Sequence, residues 1–266
     1  MTDTPAPAEH GRTDPHDHSG HDHPPTGADL LRELVQGLSI LSLVIPGLGV
    51  VLLLVILPMA PSTPVVLALG LALGAGHLLS LVATGLFVAR TRKQLAVNPG
   101  LQAVRSAVEE ALRVATILLA LLLWPTDLRG ELGVWIGAGA ALVWMALATA
   151  QTVATRRRLN RPSEWAERTV ATMLAERVTA RSTVLMRLLD VLGSITFQVG
   201  ATVLVILTPM LAIGTFVLSV ASGLSTLVLH RHAPADRSAS PWAYAPLAIG
   251  LLTLALAVLG LATMTP

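Results

Sequence analysis

The apolar residues of this chain lie in blocks of about twenty, the length that a helix needs to cross the roughly 30 Å core of a bilayer. These blocks occupy most of the chain from residue 36 onward. Hydrophobic residues make up 53% of the sequence and charged residues 13%, whereas a soluble domain carries about 25% charge. That composition excludes a soluble globule, a disordered protein and a nucleic-acid-binding domain. The sequence predicts an all-α, polytopic integral membrane helix bundle.

The apolar blocks predict seven transmembrane helices, near residues 36–59, 64–89, 106–125, 132–154, 188–208, 210–229 and 243–264. The run from Leu188 to Leu229 is too long for one helix, and Pro209 is its natural break because proline removes a helix hydrogen bond. If Pro209 only kinks the helix, the count falls to six. The third span begins with charge, since Glu109, Glu110 and Arg113 lie in its first turns.

The distribution of arginine favours seven spans. The loops 90–105, 155–187 and 230–241 are basic. The alternate loops, 58–64, 126–131 and 208–210, contain a single basic residue, Arg129. The positive-inside rule then places the N-terminus in the cytoplasm and the C-terminus outside, and six spans would break the alternation. We expect a multi-pass protein of the plasma (inner) membrane, with the first helix retained as an anchor. Anionic lipids are expected at the basic cytoplasmic loops.

The longest basic loop also contains an amphipathic pattern near residues 163–187. Val170, Leu174 and Val178 recur every four residues, and charged side chains occupy the other faces. This spacing predicts a helix at the cytoplasmic surface of the membrane. A docking site for a partner protein is the alternative interpretation.

Residues 1–29 are rich in histidine, aspartate and proline and predict a disordered cytoplasmic tail, followed by a transmembrane domain over residues 30–266. The tail contains two His-Asp-His units within a set of five histidines: His10, His16, His18, His21 and His23. Imidazole and carboxylate together suit zinc, nickel, cobalt or copper. The tail resembles the His-rich cytoplasmic segments of several metal-transporter families. A solvated tail that binds metal only incidentally is the other interpretation.

Polar residues inside the spans predict a path for a substrate. His77 lies near the middle of the second span, where an ionisable side chain is a functional candidate. The fifth span carries a polar residue at every fourth position, which places these side chains on one face. The predicted path is His77, Ser80, Thr84, Asp190, Ser194, Gln198 and Thr202. Ser219, Ser222 and Thr226 extend it on the sixth span, whereas hydrogen bonding between helices is the alternative role.

Two functions are compatible with these features. The first is a transporter or permease component for a small solute or a divalent metal, with a polar site at the midplane. The second is a non-catalytic membrane subunit or scaffold that docks a partner through its basic cytoplasmic loops, in a homo-oligomer or with another membrane protein. The sequence contains no P-loop, HExxH or Asp-rich prenyltransferase motif. We therefore expect no enzyme activity, and no nucleic acid as a partner.

Overall fold

The computed structural model of the chain describes residues 26–59, 64–91, 98–125 and 128–264. Within these ranges the regular structure is helical and no strand occurs, which confirms the all-α prediction for this part of the chain. The helices are α1 (Gly27–Ile56), α2 (Val65–Thr91), α3 (Pro99–Leu123), α4 (Arg129–Leu159), α5 (Glu164–Ala175), α6 (Ala180–Leu207), α7 (Ala212–His230) and α8 (Ala245–Met264). Six described helices, all except α3 and α5, are long and apolar enough to cross a membrane.

Helices α4 and α6 form the centre of the bundle. About 67% of the apolar stretch of each is buried inside the protein, against 28% or less for the other four apolar helices. Helix α2 packs on α4, α4 on α6, and α6 on α8, so these four helices form a row. The outer helices α1, α7 and α8 expose large apolar side chains such as Leu43, Ile213 and Leu259. In a membrane these side chains contact lipid, which costs nothing because lipid is as apolar as they are.

Glycines set the close approach between neighbours in the row. A Cβ atom at Gly70 of α2 would lie 2.3 Å from the carbonyl oxygen of Ile136 on α4, and one at Gly137 would lie 2.8 Å from the Cα atom of Val199 on α6. At Gly200 a Cβ atom would lie 2.6 Å from the backbone nitrogen of Leu254 on α8. Small residues at these positions let the helix backbones touch, as is common in membrane helix packing.

The remaining helices cover the two faces of the row. Helix α1 packs on α4 and α6. Helix α3 contacts α2 and α7, and α7 contacts α8, so α3 and α7 together cover the face opposite α1. The side chains of α3 and α7 therefore enclose polar space against α4 and α6.

The chain passes back and forth between two ends of the bundle. Arg187 at the start of α6 and His230 at the end of α7 border the same cavity, so α6 and α7 are antiparallel and Pro209 lies in a turn between two helices. Helix α3 begins at the basic end beside these residues. Its last turns pack with Ile56 and Leu132 at the opposite end, so α3 runs the full length of the bundle.

The helices extend beyond the apolar blocks at the basic end. Helix α3 begins at Pro99, where Asn98 caps it by accepting a hydrogen bond from the Gly100 amide (2.8 Å). Helix α6 begins at Ala180, with the Thr179 side chain accepting from the Ser182 amide (3.1 Å). Capping and backbone hydrogen bonds continue a helix regardless of hydropathy, so hydropathy alone places these starts too late.

The single amphipathic helix expected near 163–187 is wrong in its extent. Helix α5 ends at Ala175, and the backbone of Arg177 adopts a φ of 53°. The amide of Val178 bonds to the carbonyl of Met173 (2.8 Å) and that of Arg177 to Leu174 (3.2 Å), which is the Schellman arrangement for ending a helix. Glycine usually occupies this left-handed position, and the sequence lacks that signal here.

Part of the apolar face of α5 packs on the protein itself. Val170 and Ala166 are buried in a cluster with Leu30 and Leu34 of α1. Trp165 remains 43% exposed. Helix α5 is thus held against the basic end of α1, and only the outer part of its apolar face is open to a membrane surface. The histidine tail, His10 to His23, lies outside the described residues, and its metal binding stays a prediction.

A candidate solute site above a buried polar network

His77 of α2 is fully buried and both of its ring nitrogens have partners. Nε2 lies 2.9 Å from the carbonyl oxygen of Glu109 on α3. Because a carbonyl only accepts, Nε2 carries the proton and donates. Nδ1 is then an acceptor, and the amide nitrogen of Gln198 on α6 lies 3.4 Å from it. His77 therefore joins α2 to α3 and α6 as a neutral imidazole.

Gln198 passes this polar contact on to a buried arginine. Its side-chain oxygen accepts a hydrogen bond of 2.9 Å from Arg113 of α3. The guanidinium carbon of Arg113 lies 5.5 Å from the ring centroid of Phe197, within the range of a cation–π contact. Only 1% of Arg113 is exposed, and its Nε atom has no hydrogen-bond partner among the described residues.

Glu110 supplies the opposite charge. One carboxylate oxygen of Glu110 accepts a hydrogen bond from Arg113, and the other accepts one of 2.6 Å from the hydroxyl of Thr215 on α7. A charge buried in an apolar interior is tolerated only when it is paired and hydrogen-bonded, and this pair meets both conditions. The network Thr215–Glu110–Arg113–Gln198–His77 connects four helices: α2, α3, α6 and α7.

Glu110 and Arg113 are not part of the predicted path, because hydropathy alone presents their charge as a weakness of the third span. Their separation of three residues placed them on one face of a helix, together with other polar residues at helical spacing: Gln102, Arg105, Ser106 and Glu109. That periodicity marks α3 as a helix with a polar interior face. It is the one signal that could have found the pair.

A cavity of about 740 Å³ lies between α3, α4, α6 and α7, on the basic side of this network. Gln102, Gln151, Arg187 and His230 line it towards the basic end, and Gln198 lines its inner end. Asp190 and Gln198 are eight residues apart on α6, which is about 12 Å along the helix. A second cavity shares Gln151, Arg187, Asp190 and His230 with the first and reaches the region between α5 and the 234–243 connection, so the two form one space.

The structure divides the predicted substrate path into two groups. Asp190, Ser194 and Gln198 line the cavity, as do Ser219, Ser222 and Thr226 of α7. His77 lies behind Gln198 and does not border the cavity. Two threonine hydroxyls bond within their own helices: Thr84 donates to the Ser80 carbonyl (2.8 Å) and Thr202 to the Gln198 carbonyl (2.7 Å). Ser80, Thr84 and Thr202 do not line the cavity either.

The walls of the cavity combine ion pairs with apolar surface. Arg105 and Glu109 of α3 lie 2.7 Å apart, and Arg187 and Asp190 of α6 lie 4.0 Å apart. Apolar side chains complete the lining: Leu81, Trp144, Met145, Leu147, Phe197 and Leu227. A cleft of this volume that combines apolar walls with polar groups at defined positions is typical of small-molecule sites. In the described part of the chain no three His, Asp, Glu or Cys side chains are grouped as metal ligands would be.

Comparison with known proteins identifies no relative. No family model, no curated protein and no solved structure matches this chain.

Proposed function

We propose that this protein is a transporter or permease component that binds a small solute in the cavity between α3, α4, α6 and α7. The observation that carries the proposal is a charged and hydroxyl-lined cavity that ends at mid-bundle on a buried polar network. Ionisable groups inside a bundle are costly and are found in membrane proteins chiefly along substrate or ion pathways. A chain that only needed to pack its helices would not require them.

The network supports a small solute over a divalent metal. Both nitrogens of His77 are occupied, by the Glu109 carbonyl and by Gln198. A metal at His77 would have to break these contacts and would lie next to the guanidinium of Arg113, which repels cations. The histidine tail can still capture zinc, nickel, cobalt or copper, as a function separate from the cavity.

For the membrane topology we propose seven crossings in the plasma membrane, with the N-terminus in the cytoplasm. Helix α3 is too charged to count as an apolar helix. However, α2 ends at the basic end of the bundle and α4 begins at the opposite end, and α3 is the helix that connects α2 to α4. Its charged residues face the protein interior and not lipid: Glu110 is 6% exposed and Arg113 is 1% exposed. The cavity then opens to the cytoplasm.

Cysteine labelling tests the cavity. The chain has no cysteine, so a single introduced thiol reports one site. Ser194→Cys in the cavity wall is expected to react with a water-soluble thiol reagent in the purified protein, because the cavity is hydrated. Thr253→Cys on α8, a fully buried position, is the matched control and should stay unreacted. If Ser194→Cys is as inert as Thr253→Cys, the cavity is closed to water and the scaffold function is favoured.

Labelling in cells tests the topology. Arg129→Cys is expected to react with a membrane-impermeant reagent on intact cells, whereas Arg90→Cys should react only after permeabilisation. The reason is that Arg90 precedes α3 and Arg129 follows it, so a crossing by α3 places them on opposite sides of the membrane. Both are exposed positions, so a difference in labelling reports the side of the membrane. Equal labelling of the two on intact cells would show that α3 does not cross.

A further inference from the structure

The two ion pairs of the cavity differ in how closely their opposite charges approach each other. Arg105 and Glu109 on α3 are in direct hydrogen-bond contact at 2.7 Å. Arg187 and Asp190 on α6 lie 4.0 Å apart, beyond the distance of a hydrogen bond, and Arg187 donates one hydrogen bond to Gln151 on α4. The Asp190 side chain is 63% exposed, and both residues border the cavity. The charges of the α3 pair are therefore in direct contact, whereas those of the α6 pair are not, and Arg187 and Asp190 keep hydrogen-bonding capacity beside the cavity.

Two arginines and two carboxylates line the cavity, so the charges of its walls sum to zero when His230 is counted as neutral. A solute with a single charge would pair with only one member of the α6 pair, either Arg187 or Asp190. A solute that carries one positive and one negative group would pair with both. It would also replace the 4.0 Å separation of Arg187 and Asp190 by two close, charge-assisted hydrogen bonds.

The cavity wall closer to the buried network indicates which side group the solute would carry. Trp144, Met145 and Phe197 border the cavity between the α6 pair and the network. An apolar side group placed there would be removed from water, which favours binding. Aromatic walls favour an aromatic or a large aliphatic group.

We infer that the cavity binds a small zwitterion of the amino-acid type, with its ammonium group at Asp190, its carboxylate at Arg187 and an apolar side group against Trp144 and Phe197. This inference rests on the proposed solute site and names the class of its substrate. The α3 pair and the buried network shape the cavity, and Asp190 and Arg187 select the charges.

Binding to the full-length purified protein tests the inference, with L-phenylalanine as the probe. Two analogues each lack one charge: L-phenylalanine amide has no carboxylate, and N-acetyl-L-phenylalanine has no ammonium group. We expect each analogue to bind at least about tenfold more weakly than the zwitterion, which corresponds to about 1.4 kcal/mol. Equal binding of either analogue would overturn the inference.

Charge-removing variants assign the two ends of the solute. Asp190→Asn is expected to weaken L-phenylalanine about tenfold and leave N-acetyl-L-phenylalanine unchanged, and Arg187→Met should weaken L-phenylalanine and leave the amide unchanged. Arg168→Met on α5, an exposed position outside the cavity, is the control and should bind like wild type. If L-phenylalanine does not bind while Ser194→Cys is reactive, the substrate class is wrong and the solute site stands. If Ser194→Cys is also inert, both proposals fail.

Discussion

Arg113→Met is expected to destabilise the protein by about 3–5 kcal/mol, the cost of removing one partner of a buried ion pair. Among the described residues, Thr215 would be the one side-chain partner left to the buried carboxylate of Glu110, and the side-chain oxygen of Gln198 would lose its donor. The measurement is the free energy of unfolding of the detergent-solubilised protein in a denaturant titration. Methionine has no donor for either of the groups that Arg113 contacts, Glu110 and Gln198.

Two comparisons separate this effect from a general loss of charge. Arg168→Met removes an arginine that pairs with Glu164 at 2.7 Å on the surface of α5, with both side chains about 80% exposed (79% and 82%). Such a pair is worth at most about 1 kcal/mol. The double variant Glu110→Gln with Arg113→Met removes both buried charges and should recover part of the lost stability. If Arg113→Met costs no more than Arg168→Met, the network does not hold the bundle together.

Gly70→Val is expected to cost about 3 kcal/mol or more, at the upper end of what overpacking costs. A Cβ atom there would lie 2.3 Å from the carbonyl oxygen of Ile136 and 2.9 Å from the Cα atom of Gly139. Both are backbone atoms of α4, so no side-chain rotation relieves the clash, and α2 must move away from α4. That movement would also displace His77, seven residues further along α2. The measurement is the same unfolding titration.

Gly85 gives a matched control on the same helix. Apart from the adjacent backbone of its own helix, no atom of the described residues would lie within 4 Å of a Cβ atom at Gly85, so Gly85→Val changes the helix propensity and not the packing. We expect its unfolding free energy to stay within about 0.5 kcal/mol of wild type. Similar losses for Gly70→Val and Gly85→Val would show that α2 does not pack on α4 as described.

The positions of the helices were predictable because hydropathy acts locally along the chain. Leu207-Thr208-Pro209 carries the break between α6 and α7 in its own residues, since proline lacks the amide that a continuing helix needs. The glycines at 70 and 74 likewise marked the face of α2 that packs closely, and the structure places them against α4. The end of α5 at Ala175 was not predictable, because the left-handed position that follows it is filled by Arg177 and not by glycine.

The candidate site was only partly predictable. The four-residue spacing on α6 placed Asp190, Ser194 and Gln198 on one face, and they share one cavity wall. His77 was chosen as an intramembrane ionisable residue, yet whether it faced a solute or a neighbouring helix depended on Glu109 and on Gln198, which is 121 residues away. By hydropathy alone the charges of α3 argue against a membrane-spanning helix, and their partners on α6 and α7 become visible only in the tertiary structure.

The sequence by itself determined that the chain forms apolar helices with their basic loops at one end, because both properties depend on residues close together in the chain. Tertiary structure decided what the polar residues do. Arg113 and Glu110 are tolerated in the interior since they pair with each other and since Gln198 and Thr215, from two other helices, supply further hydrogen-bond partners. The cost of a buried charge depends on partners brought from distant parts of the chain, and only the packing of α3, α6 and α7 supplies them.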